Sequence, residues 1–170
     1  MKLVIDLDGV LFEFEITNYV GGFSLIPSIR DFANVSLSLN SDYINYELKQ
    51  EPLLMSKEVE YLKYEIKNLL EDKTTNEKEI YFENPVLGFL LEPSGDVISN
   101  DDNTGYIECE CSSELIINIK NSNRLSSNEF RLYMVKEELE AFYWYLRVVT
   151  DEISINDLEV KDYIDKGIFV

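Results

Sequence analysis

The stretch VIDLDGVLF, residues 4–12, admits two readings, and the choice between them decides the fold. In one, Asp6 and Asp8 close a parallel strand and serve as nucleophile and acid for phosphoryl transfer. In the other, Asp8-Gly9 is a two-residue turn between antiparallel strands, because aspartate and glycine tolerate the positive φ values such a turn needs. The flanks favour the turn. Leu3, Ile5 and Leu7 share one face before it. Phe12, Phe14 and Ile16 share one face after it, with Glu13, Glu15 and Thr17 opposite. Period two on both sides of a D-G pair predicts a hairpin.

The chemistry of a haloacid-dehalogenase-like phosphatase would ask for more. It needs a helix soon after the motif, a later hydroxyl and lysine for the phosphoryl group, and an acidic pair for Mg²⁺. Asp96, Asp101 and Asp102 could offer that pair, but the motif runs straight into the alternating VLFEFEITNY. No Lys or Arg occurs between Lys78 and Lys120, so no phosphate-binding base precedes the acids. The phosphatase using Asp6 and Asp8 is kept only as an alternative. A calcium loop at NDDNTG (100–105) is disfavoured because Cys111 stands where the twelfth-position glutamate belongs.

Outward from the hairpin, GGFSLIPSIRD (21–31) reads as a loop, VSLSL (35–39) and YINYELKQ (43–50) as strands, and Asn40–Asp42 as their turn. The period then changes. Ser56 is the expected N-cap of a helix over 56–71, with Val59, Leu62, Ile66, Leu69 and Leu70 as its buried stripe. Strands resume at 79–83 and 86–92, followed by a polar loop over 93–105. YIECEC (106–111), ELIINIK (114–120) and EFRLYMV (129–135) read as further strands, with a turn region over 121–128. A second helix is expected over 136–149 with Leu139, Phe142, Tyr143 and Leu146 buried. A short third one carries Leu158, Tyr163 and Ile164 and closes at Gly167.

Strands follow strands before each main helix. This predicts an α+β fold, mainly antiparallel sheet of about 8–9 strands, in a single domain over 1–170. LLMSKEVEYL (53–62) and LYMVKEELEAF (132–142) enter their helices alike, which suggests related halves at 1–72 and 79–149 with a tail at 151–170.

The 170 residues carry 33 acids against 15 bases, a formal net charge of −18, and no histidine. That charge repels nucleic acids and anionic membranes and attracts cationic proteins. Without histidine there is no Ser-His-Asp or Cys-His arrangement and no imidazole ligand for zinc, so any catalysis would rest on carboxylates, Lys, Tyr or Cys; no catalytic residue, metal or cofactor is assigned. Cys109 and Cys111, two apart on an expected strand, read as buried free thiols. No apolar run of 18 residues is present, and the N-terminus does not fit a secretory signal, so a cytoplasmic protein is expected.

Several stretches carry a family resemblance: FEFEITNY closing the opening hairpin, VSLSL with YINYEL, EPLLMSKEVEYLKYEIKNLL, IYFENPVLGFLLEP and EFRLYMVKEELEAFYWYL. Together they cover most of residues 1–149, and in them the chain resembles the WapI-like family of bacterial immunity proteins. The acidic 93–114 insert and the tail after Val149 depart from that pattern. The resemblance implies a non-enzymatic antidote to a contact-dependent or polymorphic toxin, with the toxin's C-terminal domain as partner. Such domains are often nucleases with basic clefts. An intracellular adaptor of other purpose is a further alternative.

The residues add their own argument. Residues 79–119 hold nine acids and no base. The expected partner-binding residues are Asp96, Asp101, Asp102, Tyr106, Glu108 and Glu110, with Tyr106 as the aromatic anchor among the acids. Glu108 and Glu110 should share the strand face opposite Cys109 and Cys111. The bland reading of the same acids is a solvated strand face that discourages edge pairing.

Overall fold

Alternation on either side of Asp8-Gly9 becomes a tight hairpin. Strands β1 (Leu3–Leu7) and β2 (Val10–Thr17) pair antiparallel with Leu7 opposite Val10. Asp8 and Gly9 have φ of 52° and 85°, the double positive φ of a type I′ turn. Asp6 helps close it, its Oδ1 accepting the Gly9 N–H at 2.7 Å. The structure, a computed structural model, describes residues 1–21, 31–98, 106–120 and 127–170. Most of the loop expected over 21–31 and of the turn region over 121–128 thus lies outside the described residues.

The first sheet is a four-strand meander, β1-β2-β3-β4, with β3 at Phe32–Asn40 and β4 at Asn45–Met55. Strand β4 runs five residues past the expected end at Gln50. Two register shifts against β3 interrupt its alternation, so the period of two is lost beyond Gln50. Gln50 sits at one shift with φ of 51°, and its N–H donates to the Ser36 hydroxyl at 3.1 Å. As an edge strand with bulges, β4 can hold Pro52, whose missing N–H would break a central ladder.

Helix α1 (Ser56–Leu70) follows directly. Ser56 is not its N-cap, as expected from sequence, but its first residue; the Ser56 hydroxyl donates to the Asp31 carbonyl instead. The N-terminal cap comes from Glu58. Its Oε2 accepts the Met55 N–H at 2.7 Å and its Oε1 accepts the Glu83 N–H at 2.7 Å, tying the helix start to the second half of the chain.

The second sheet has the order β10-β9-β6-β5, built from β5 (Lys78–Tyr81), β6 (Leu87–Glu92), β9 (Ser112–Lys120) and β10 (Ser127–Met134). Strands β7 (Gly95–Ile98) and β8 (Tyr106–Cys109) form a two-stranded pair between β6 and β9. The polar loop expected over 93–105 is therefore corrected: its residues 95–98 are strand. With that pair set aside, both halves are a four-strand antiparallel meander that feeds a helix.

Helix α2 spans Lys136–Val149, and its Glu138 Oε2 accepts the Val135 N–H at 2.8 Å, as Glu58 does in α1. Both helices also end alike, on an aspartate in the left-handed region: Asp72 at 54° and Asp151 at 56°. Lys73 N–H then reaches the Asn68 carbonyl and Glu152 N–H the Arg147 carbonyl, the six-to-one bond of a Schellman motif. Helix α3 (Leu158–Asp165) closes through Gly167 at φ of 73°.

One contiguous core joins the halves, filled by the inward residues of both sheets and the facing sides of α1 and α2. The expected stripe of α2 is corrected at one position: Tyr145 is fully buried, while Tyr143 is half-buried. On α3 the buried residue is Val160, and Leu158 is exposed. Eight residues after a charged loop are too few for periodicity to choose a face.

Tyr145 is buried because its hydroxyl has work there: it accepts the Ile16 N–H at 2.7 Å across from α2 to β2. Burial pushes its phenol pKa upward, so it stays neutral at ordinary pH. Tyr145→Phe keeps the ring but leaves a buried N–H unpaired, a loss of about 1–3 kcal/mol. Urea unfolding should show that loss with the slope unchanged. A variant as stable as the parent would mean that the bond contributes nothing.

Candidate partner-binding site

Strands β6 and β9 pair with Glu92 opposite Ser112, and β7 and β8 pair with Gly95 opposite Cys109. The register is the same in both, with two residues skipped on each side. The β7–β8 pair is thus an arm continuing the β6–β9 ribbon beyond the second sheet. The ladder breaks at Pro93-Ser94, where proline has no N–H to donate.

Side chains hold the root of the arm to both helices. The Ser94 hydroxyl donates to Asp72 Oδ1 at 2.9 Å at the end of α1. Lys136, the first residue of α2, lies 3.8 Å from Glu110. Below the root opens a cleft of about 800 Å³ whose lining includes Glu77, Glu92, Glu110, Tyr133, Cys109 and Ser112. Glu92 is oriented by the Ser112 hydroxyl, which donates to its Oε2 at 2.9 Å. Tyr133 is more than half exposed. Carboxylates around an accessible aromatic ring can take a guanidinium or ammonium group, by charge and by cation–π contact.

Of the six residues expected to bind a partner, the structure brings four to this arm and its root. Asp96 and Glu108 are direct cross-strand partners on β7 and β8. Tyr106 begins β8, opposite Ile98. Glu110 is exposed at the root. Asp101 and Asp102 lie outside the described residues.

Two expectations are corrected here. Strand β8 ends at Cys109, so Glu110 does not share a strand face with Glu108. Cys109 is exposed and only Cys111 is buried, both as free thiols. Burial pushes the Cys111 thiol pKa up, which keeps it protonated. The break at 110–111 separates the two thiols, and apolar alternation through IECEC gave no sign of it.

Sequence reasoning missed Glu77, Glu92 as a cleft residue, and Tyr133. Glu77 comes from the loop after α1 and Tyr133 from β10, so only the fold places them beside the arm. A signal for Tyr133 existed: in EFRLYMV it alternates with Leu132 and Met134, hence outward. Among the described residues, no three acidic or thiol side chains are grouped closely enough to hold a metal ion. Among them, too, no helix is long and apolar enough to cross a membrane.

Asp6 lies on an edge strand of an antiparallel meander and is engaged with the Gly9 N–H. That differs from the end of a parallel strand, the setting the phosphoryl-transfer reading needs. Comparison with known proteins adds no family: no family model matches the chain, and no curated protein or solved structure matches it.

Proposed function

We propose that the protein is a cytoplasmic antidote that binds and neutralises a basic toxin domain, such as a nuclease, without catalysing a reaction. The observation that carries this reading is the acidic arm with its cleft, set on a chain of net charge −18. Glu77, Glu92 and Glu110 line that cleft together with the exposed Tyr133, and the arm's backbone register sets Asp96 opposite Glu108. A nuclease grips phosphates through a basic cleft, and an acidic surface of this kind competes for the same cations. The resemblance to the WapI-like immunity proteins points the same way, through its apolar and helix-entry patterns.

A large secreted protein encoded next to this chain and ending in a small basic domain is the expected source of the toxin, and the test is co-expression of this chain with such a domain. The expected result is a stable complex and loss of toxicity, with association slowing steeply as salt rises. Reversing two exposed cleft charges, Glu77→Lys with Glu110→Lys, should slow association about tenfold or more at low salt. If the domain neither binds nor loses toxicity, the antidote reading is wrong.

A further inference from the structure

The second sheet packs one face on the core; on its other face the outward positions are exposed along the two edge strands, β5 and β10, and largely buried on the central strands. Its inward positions, including Phe89, Leu91, Leu115, Ile117 and Leu132, belong to the core. Side chains alternate along a strand, so the intervening positions face outward, and the register aligns them into rows. One row runs Glu79, Leu90, Glu114 and Tyr133; the next runs Tyr81, Gly88, Ile116 and Arg131.

These rows do not have the composition of a face built only for water. Ile116 has 0% exposure although it points away from the core, and Leu90 beside it is half-buried. The Tyr81 ring covers Gly88 so closely that a Cβ there would come within 3.3 Å of it. Tyr81 and Tyr133 stand at opposite edges of the sheet and are 54% and 55% exposed. The result is two accessible aromatic rings on either side of a packed apolar centre, and exposed aromatic side chains of this kind anchor protein interfaces.

Charge selects the occupant. Glu79, Glu92, Glu114 and Glu129 occupy outward positions on this face, with Arg131 among them. Arg131 is already engaged, by Glu114 at 2.9 Å and Glu129 at 2.6 Å. The face also runs into the cleft at the arm's root through Tyr133, Glu92 and Ser112.

We infer that the outer face of the second sheet, with Tyr81 and Tyr133 at its edges, is the docking surface for the body of a basic protein partner. This rests on the antidote reading and specifies where the partner sits. The two tyrosines are the anchors, the half-buried Leu90 is the apolar contact between them, and Glu79 and Glu92, which Arg131 does not engage, pair with the partner's arginines and lysines.

The probe is a library of random 12-residue peptides, selected on the immobilised full chain and then titrated against it. Selected peptides should combine arginine or lysine with apolar residues. Tyr81→Ala and Tyr133→Ala should each weaken them at least about tenfold, as removal of interface anchors does. Tyr81→Phe should retain binding, which separates loss of an anchor from loss of folding. Tyr43→Ala and Tyr64→Ala, at exposed tyrosines elsewhere, should change affinity less than about twofold. Basic peptides that ignore both anchor variants but are lost on Asp96→Asn with Glu108→Gln would overturn this face and leave the antidote reading standing. Failure to select any basic peptide would overturn both.

Discussion

Phe142→Ala is expected to destabilise the protein by about 3–5 kcal/mol, the range for removing a fully buried phenylalanine. In a domain of this size that lowers the thermal midpoint by about 10 °C. The reason for choosing Phe142 over other core residues is its position. Its ring lies 5.4 Å from Phe14 of the first sheet, 5.6 Å from Phe89 of the second and 6.4 Å from Tyr145 on its own helix. Glu58 and Tyr145 join the halves through hydrogen bonds, whereas Phe142 joins the two sheets through their shared apolar interior. The cavity would be walled by three rings held in separate elements, so it cannot collapse easily. Calorimetry and urea unfolding should agree on a single cooperative transition, shifted downward. If the halves were independent, the variant would instead split unfolding into two transitions, and the single-core description would fail.

The second large effect is expected at the C-terminus. Residues 168–170 run beside β1: the Val4 N–H donates to the Ile168 carbonyl at 2.8 Å, and Lys2 and Val170 exchange two backbone bonds of 2.7 and 2.9 Å. Phe169 is buried, with its ring 5.0 Å from Tyr163 and 6.1 Å from Tyr145. Phe169→Ala should therefore also cost about 3–5 kcal/mol. Removing residues 168–170 should cost more than the point variant, because it also uncovers part of the β1 edge. An uncovered edge is a template for pairing with another chain, so the truncated protein should aggregate at concentrations where Phe169→Ala stays monomeric. Light scattering during mild heating separates the two. A truncation no more aggregation-prone than the point variant would mean that the tail's backbone bonds do not protect the edge.

Legibility along the chain followed the strength of local periodicity. The β1–β2 hairpin and helix α2 were readable because a D-G turn and a clean 3.6-residue pattern leave few alternatives. Helix α1 was readable in extent but not in its cap, since serine before an apolar run resembles an N-cap wherever the preceding strand happens to end. The far half of β4 was hidden by its bulges, which reverse the alternation that would announce it. Of the arm, YIEC was readable as strand, but GDVI was hidden because it is short and polar-flanked, and pairing across a dozen residues leaves no local mark. The tail was unreadable for a related reason, because its partner strand lies at the other end of the chain.

The sequence by itself determined the fold class, the order of most elements and the acidity of residues 79–119. Each of these depends on neighbours within about one turn or two strands, where sterics and alternation act directly. It could not say where that acidity would gather. Antiparallel pairing put Glu79, Glu114 and Tyr133 into one row, and loop closure after α1 put Glu77 beside Glu92 and Glu110. Separation along the chain carries no information about such neighbours. Packing of the two meanders on α1 and α2 decided them.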